Sequence, residues 1–165
     1  MSSGGPGRLF VVTGFGSDLA AVAIGLAGRS ERAVAVEAEA FDRMVVAGRA
    51  PADPRPEGRR LTPTQLRLLL LRWSAAIATA ETYQLEGFDA VISDAGLGPH
   101  LDDFLDLVAP APVHLVVLQD ARGPGPDTPR YGLWLDVTGQ SVEEVLDEVL
   151  GRLDDALVVT AEGSQ

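Results

Sequence analysis

The sequence has 165 residues and a formal net charge of −11, and its 13 basic residues are all arginine. This length suits one domain with a full core, and the acidity argues against nucleic acids and anionic membranes as partners. The absence of cysteine excludes disulfides and cysteine metal sites, and His100 and His114 are too far apart in sequence to suggest a metal site. Without a signal-like segment or an apolar run of about 18 residues, we expect a cytoplasmic protein.

The first organised stretch, residues 9–27, follows a Ser/Gly/Pro leader at 1–7 that we expect to be disordered. Leu9 to Val12 have the length and branching of a strand that is covered on both faces. A glycine-containing turn comes next, and then an Ala/Leu/Val/Ile run with the composition of a helix. We expect Ser17 or Asp18 to cap this helix and Gly28 to end it.

A strand, a glycine turn and a helix are how nucleotide-binding α/β domains begin, but the expected phosphate chemistry is missing here. A phosphate-binding loop reads G-x-x-x-x-G-K-[ST], and its lysine reaches the outer phosphates. After Gly14, the final three positions of that motif hold Leu19, Ala20 and Ala21, and the chain has no lysine. We therefore interpret the turn as a vestigial phosphate loop, made of Gly14, Phe15, Gly16, Ser17 and Asp18.

The second predicted strand, residues 33–36, runs directly into a cluster of charged residues. Because ligands of open α/β sheets bind beyond the carboxyl ends of the strands, this cluster is a candidate site; it contains Glu37, Glu39, Asp42 and Arg43. An equally good interpretation is that Glu39 or Asp42 only caps a short helix over residues 41–47.

A Pro/Arg-rich loop follows at residues 48–63, and it is too long for a simple connection. It concentrates positive charge in an otherwise acidic chain through Arg49, Arg55, Arg59 and Arg60. These guanidinium groups could bind an anionic ligand, or the segment could be a solvated loop.

The strongest helical pattern covers residues 64–86, with Thr62 or Thr64 as its cap. Its apolar face includes Trp73 and Tyr83, which we predict to be core residues rather than a platform for a ligand. The helix also offers a surface through which a homodimer could form.

Two more strands and a helix are predicted in the middle of the chain. The strand at 90–93 ends at Asp94, an acid that could orient a metal ion or water, or accept a proton. Residues 101–108 read as a short amphipathic helix, and 113–118 as an apolar strand in which His114 is a core histidine.

A fifth strand is predicted at 131–136, followed by a helix that Ser141 and Glu144 begin as a capping box. We expect one domain over residues 8–157 and a loose tail at 158–165. Strands that alternate with helices predict an α/β three-layer sandwich with a five-stranded parallel sheet and right-handed crossovers.

Several segments taken together extend this interpretation to a family. They are VVTG at 11–14, VEAEAFDRM at 36–44, VISDAGLG at 91–98, HLVVLQD at 114–120 and TPRYGLWLDVTGQ at 128–140. In this order they resemble the chloramphenicol phosphotransferase-like group of small P-loop kinases. The resemblance implies a P-loop kinase-like fold and phosphorylation of small hydroxylated molecules with ATP and Mg²⁺. It implies that the phosphate loop starts at Gly14, that Glu39 is the base on the substrate side, and that Asp94 is the acid that ends the third strand.

The chain departs from this family in two places. The loop lacks its lysine and its Ser/Thr, and the segment between Gln119 and Thr128 is shortened where similar kinases carry a helical lid. Arg122 and Arg130 are the arginines that remain near it. Since phosphoryl transfer depends almost entirely on charge stabilisation and positioning, the two losses argue against an ATP-dependent kinase.

Three hypotheses remain. In the first, the fold is a biosynthetic enzyme for natural products that needs no cofactor and uses acid/base chemistry such as isomerisation, cyclisation or elimination. Its catalytic residues would be Glu39, Asp42 and Asp94, and its substrate-binding residues Glu37, Arg43, Arg72, Phe15, Arg130 and Tyr131. Leu19, Ala20 and Ala21 would then line an emptied nucleotide cleft. The second hypothesis is a non-catalytic pseudokinase that binds a small molecule or a protein, and the third is a residual phosphotransferase.

Overall fold

A computed structural model describes residues 4–14, 18–49, 61–95, 97–120 and 128–160. These residues form six strands: β1 (Leu9–Gly14), β2 (Ala33–Glu37), β3 (Asp89–Ser93), β4 (Val113–Gln119), β5 (Leu133–Asp136) and β6 (Leu157–Val158). The same ranges form six α-helices: α1 (Leu19–Ala27), α2 (Glu39–Arg43), α3 (Pro63–Gln84), α4 (Leu101–Val108), α5 (Val142–Gly151) and α6 (Leu153–Ala156). A 3-10 turn, Gly98–His100, leads into α4.

The sheet has five parallel strands in the order β2-β3-β1-β4-β5, which confirms the predicted parallel α/β sheet. β1 lies at its centre, with Phe10 in register with Val91 of β3 and His114 of β4. The prediction of a loose tail from residue 158 is wrong at its start, because β6 pairs antiparallel with β4 through Leu157 and Val158. Residues 161–165 lie outside the described residues.

The core consists of two apolar layers, one on each face of the sheet, as expected for a three-layer sandwich. Alternate residues of β1 point to opposite layers: Val11 packs with Trp73 and Phe104, whereas Val12 packs with Leu26 and Leu146. Burying a side chain of this size contributes about 1.5–3 kcal/mol. The two layers therefore hold α3 and α4 on one face and α1 and α5 on the other.

α3 is positioned by a complete capping box, which confirms Thr62 as its N-cap. The Thr62 hydroxyl accepts a hydrogen bond from the Gln65 backbone amide, and the Gln65 side chain accepts one from the Thr62 amide. Trp73 is fully buried, as predicted, but Tyr83 is 43% exposed and is not a core residue. Tyr83 instead packs edge-on against Phe88. None of the described helices is long and apolar enough to cross a membrane.

The caps of the shorter helices differ partly from the expectations. Gly28 ends α1 and Ser141 caps α5, as predicted, but Asp18 precedes α1 without a side-chain capping bond. α2 begins at Glu39 rather than near residue 41, and its N-cap is Ala38, which has no side-chain acceptor. Neither Glu39 nor Asp42 therefore caps a helix. The Glu39 carboxylate instead accepts from the Ala95 amide, and the Asp42 carboxylate accepts from Arg72.

Candidate functional site

The candidate site forms where β2 and β3 end side by side, with Glu37 in register with Ser93. The backbone amide of Ala38 donates to the carbonyl of Ser93, so α2 starts directly beside the end of β3. Asp94, the next residue after β3, is 0% exposed. The sheet thus brings the charged residues of α2 next to a buried carboxylate.

Asp94 is held by several hydrogen bonds. Nε and Nη2 of Arg72 donate to its Oδ2 and Oδ1 at 3.0 and 2.9 Å. Nε1 of Trp73 also donates to Oδ2, at 2.9 Å, and the hydroxyl of Thr13 donates to the Asp94 carbonyl at 2.6 Å. A buried carboxylate is tolerated only when it is paired and hydrogen-bonded in this way.

Arg72 joins this buried carboxylate to a more exposed one on α2. Its third nitrogen, Nη1, donates to Oδ2 of Asp42, whose side chain is 49% exposed, whereas that of Arg72 is 12% exposed. Burial alone would lower the pKa of Arg72, but the carboxylates of Asp94 and Asp42 outweigh it and raise that pKa. Arg72 is therefore a fixed cation whose guanidinium is held from two sides.

Glu39 lies at the same edge of the sheet. Its Oε1 accepts a hydrogen bond of 3.1 Å from the Ala95 amide, so the residue is anchored beside the loop that follows Asp94. Glu37 and Arg43 form a looser and more exposed pair, with 3.4 Å between Oε1 and Nη2. Glu39, Asp42 and Asp94 thus lie at the same edge of the sheet as Arg72. Glu37 and Arg43 lie at the outer rim of this cluster.

A cavity of about 420 Å³ lies beside this cluster, between α2 and the start of α3. Its described lining combines charged groups with apolar side chains: Asp42, Arg43, Val45, Arg49, Leu61, Gln65, Leu68, Leu69 and Arg72. Of the predicted site residues, Asp42, Arg43 and Arg72 face it, while Glu39 and Asp94 are not among the residues that line it. Its volume lies within the range of small-molecule sites.

Arg49, one of the four loop arginines singled out in the sequence, also lines this cavity. The other three, Arg55, Arg59 and Arg60, lie outside the described residues. The apolar lining from α3 was not predicted as part of a site. The sequence does carry a signal for this lining. Leu68 and Leu69 lie one helical turn before Arg72, which is a charged residue at the edge of an otherwise apolar helix face.

Arg130 and Tyr131, both predicted to bind substrate, interact with residues of another region. The guanidinium of Arg130 lies 4.3 Å from the ring centroid of Trp134. Tyr131 is hydrogen-bonded to Asp102 at the start of α4, which raises the pKa of its phenol. Within the described residues, these contacts do not link Arg130 and Tyr131 to the cluster around Arg72.

The predicted vestigial loop is described only at its two ends, because Phe15, Gly16 and Ser17 lie outside the described residues. Gly14 has a φ of +126°, and a Cβ there would lie 2.0 Å from the Leu118 carbonyl oxygen, so this position requires glycine. Leu19 is buried in the core, so the expectation that it lines an open cleft is wrong. Ala20 and Ala21 are exposed.

The described residues contain no group of three or more His, Asp or Glu side chains arranged to hold a metal ion. In sequence, no protein-family model and no curated protein matches the chain.

Solved structures do match the fold over nearly the whole chain. An unliganded sugar kinase from Janibacter sp. HTCC2649 is 20% identical, covers 92% of this chain and 96% of its own, and has a TM-score of 0.59. The APS kinase CysC from Mycobacterium tuberculosis is 15% identical over 90% of this chain and 99% of its own, with a TM-score of 0.60. A gluconokinase from Sinorhizobium meliloti 1021 is 19% identical over 92% and 93%, with a TM-score of 0.56. The chain therefore has a P-loop kinase-like fold.

Proposed function

We propose that this kinase-like scaffold binds a small molecule in the cavity between α2 and α3, and that it does so without using ATP. The observation that carries the proposal is the cavity itself, which has the size of a ligand site and a mixed polar and apolar lining. One wall is Arg72, which two carboxylates hold in a fixed orientation. A preorganised wall of this kind lowers the entropy cost of binding a ligand.

The proposal that ATP is not used rests on the first turn. Without any lysine, the chain lacks the group that a phosphate-binding loop places against the outer phosphates. Asp18, which is exposed at the end of that turn, adds negative charge where phosphate would approach. Since the protein's part in phosphoryl transfer is mainly charge stabilisation, these two features argue against a residual phosphotransferase.

The proposed binding site is tested by filling the cavity. Leu68→Trp places a large ring in it, and Leu71→Trp is the matched control because Leu71 lies on the same helix and is exposed. A fragment collection is screened against the wild-type protein by ligand-observed NMR. We expect fragments that bind the wild type to be lost in Leu68→Trp and kept in Leu71→Trp. Equal binding to all three proteins would contradict the proposal.

A second candidate function, acid/base catalysis on the bound molecule, is supported by the position of Asp42, the carboxylate among the described residues that line the cavity. Glu39, a half-buried residue that accepts from the Ala95 amide, lies at the same edge of the sheet but is not among those lining residues. A carboxylate in the position of Asp42 could move a proton in an isomerisation, cyclisation or elimination of a biosynthetic intermediate.

Proton transfer to carbon can be detected without knowing the product. A fragment that binds and carries an acidic C–H beside a carbonyl group is incubated with the protein in D₂O, and deuterium incorporation at that carbon is followed by mass spectrometry. Acid/base catalysis predicts incorporation that Asp42→Asn abolishes while binding persists, and that the exposed control Glu86→Gln retains. Binding of such a fragment without incorporation in the wild type would count against acid/base catalysis at this cavity and favour the non-catalytic alternative.

A further inference from the structure

The charged groups that line the cavity differ in how far their charge is already satisfied. Arg72 already forms ion pairs with Asp94 and Asp42. Asp42 is the one carboxylate among the described lining residues. An incoming ligand therefore meets a carboxylate that is already hydrogen-bonded. Among the described lining residues it meets no free negative charge.

Arg49 is in a different situation. Its Nε donates to the carbonyl of Val45 at 2.6 Å, and its Nη2 donates to the carbonyl of Arg43 at 3.2 Å. In the described part of the chain, no carboxylate pairs with this guanidinium. The two carbonyls fix the orientation of this exposed group, and none of the described carboxylates compensates its positive charge.

Arg43, the third lining arginine, has only a weak partner. Its contact with Glu37 is 3.4 Å long, and the two side chains are 61% and 44% exposed. Exposed pairs of this kind contribute about 0–1 kcal/mol, so the guanidinium can be redirected towards a ligand at little cost. The same end of the cavity thus offers two cations, in a protein whose net charge is −11.

The rest of the described lining is largely apolar, with Val45, Leu61, Leu68 and Leu69. From this division of the cavity, and resting on the proposed binding function, we infer that the ligand is an organic anion with an apolar body. Its carboxylate or phosphate is bound by Arg49 and Arg43, and its apolar part packs against the leucines of α3. Guanidinium groups suit both oxyanions, because they can donate two parallel hydrogen bonds to either.

The test compares matched probes that differ in charge. Naphthalene-2-carboxylate and 2-naphthyl phosphate are titrated against the full chain, beside the neutral 2-naphthamide and 2-naphthol. We expect the anions to bind at least about ten-fold more tightly than their neutral partners, the range of one charge-assisted hydrogen bond. Arg49→Gln removes this preference, whereas Arg67→Gln, an exposed arginine of α3 that does not line the cavity, keeps it.

The outcomes separate this inference from the function on which it rests. Equal binding of anionic and neutral probes, or unchanged anion binding in Arg49→Gln, would overturn the inference and leave the cavity as a ligand site. No binding by any of the four probes would count against both. A preference for the phosphate over the carboxylate, lost in Arg49→Gln, would support the inference and assign the ligand to the phosphate class.

Discussion

Arg72 of α3 forms a two-point ion pair with Asp94, the carboxylate that directly follows β3, and neutralises its charge. Trp73, the next residue along α3, donates to the same carboxylate. Asp94 therefore has its charge compensated by the chain itself. The pair also fixes α3 against β3, and through Asp42 it fixes α2 as well.

Removing one partner of this pair should destabilise the fold strongly. Arg72→Gln leaves the buried carboxylate of Asp94 without its cation, and we expect a loss of about 3 kcal/mol in the free energy of unfolding. Urea denaturation measures it. Arg43→Gln, which removes an exposed partner of Glu37, should cost less than about 1 kcal/mol. Similar losses in both variants would show that the Arg72 pair contributes no more than a surface contact.

Nucleotide should leave the stability of the protein unchanged. A ligand present at about one hundred times its dissociation constant stabilises by roughly 2.7 kcal/mol, which raises the melting temperature of a domain of this size by several degrees. Because the chain has no lysine for a phosphate loop, we expect no shift with 1 mM Mg·ATP in differential scanning fluorimetry. A clear rise in the melting temperature with Mg·ATP would favour the hypothesis of a residual phosphotransferase.

Stability should depend on pH through His114. This residue stacks on Phe10 at 4.8 Å, and its Nδ1 is buried without a hydrogen-bond partner in the described structure. Burial lowers the pKa of His114; the backbone of Leu9 and the carboxylates of Asp89 and Asp154 oppose this effect, and Arg8 reinforces it. The unfolded chain thus binds a proton more readily than the folded one. This contribution to stability is complete above the unfolded pKa of about 6.5 and is lost as the pH falls towards the folded value.

The measurement compares wild type with His114→Phe, which keeps a ring beside Phe10 but cannot titrate. Urea unfolding at pH 7.5 and pH 5.5 gives the difference in stability between the two proteins at each pH. We expect the wild type to lose stability relative to His114→Phe on acidification, while the other titrating groups cancel in the comparison. A difference that stays constant between the two pH values would show that His114 does not titrate in this way.

Gly132, just before β5, should tolerate alanine poorly. It has a φ of +74°, and a Cβ there would lie 2.5 Å from the backbone oxygen of Leu115. Gly139 is the matched control, because it has a φ of +71° and no atom within 4 Å of the same position. We expect Gly139→Ala to cost about 1 kcal/mol from backbone strain alone, and Gly132→Ala roughly twice that or more because of the added clash. Equal unfolding free energies for the two variants would show that Leu115 moves aside freely.

The sequence predicts most of the fold because its signals are local. Thr62 and Ser141 are side-chain caps whose partners lie three residues away, and the structure confirms both. Gly132 shows the limit of such signals, since it breaks the extended backbone and makes β5 begin at Leu133 rather than at residue 131. Its need for glycine comes from Leu115, which is distant in sequence.

The site is predictable in outline but not in detail. The rule that ligands bind beyond the carboxyl ends of parallel strands predicts that Glu39, Asp42 and Asp94 lie at one edge of the sheet, and the structure places them there. Their catalytic roles stay a prediction. It does not reveal that Arg72 takes both oxygens of Asp94, because that contact depends on the rotation of α3 over the sheet. The same packing decides that the cavity opens beside Asp42 and Arg49 rather than between Glu39 and Asp94.

The short antiparallel strand β6 has a consequence for solubility. β5 covers one side of β4 from Val116 onward, and β6 covers the same side at Val113 and His114. Almost the whole length of an apolar strand is thereby closed to pairing with another molecule, which would otherwise recruit further strands into aggregates. The two residues of β6 thus shield the end of β4 that β5 leaves uncovered.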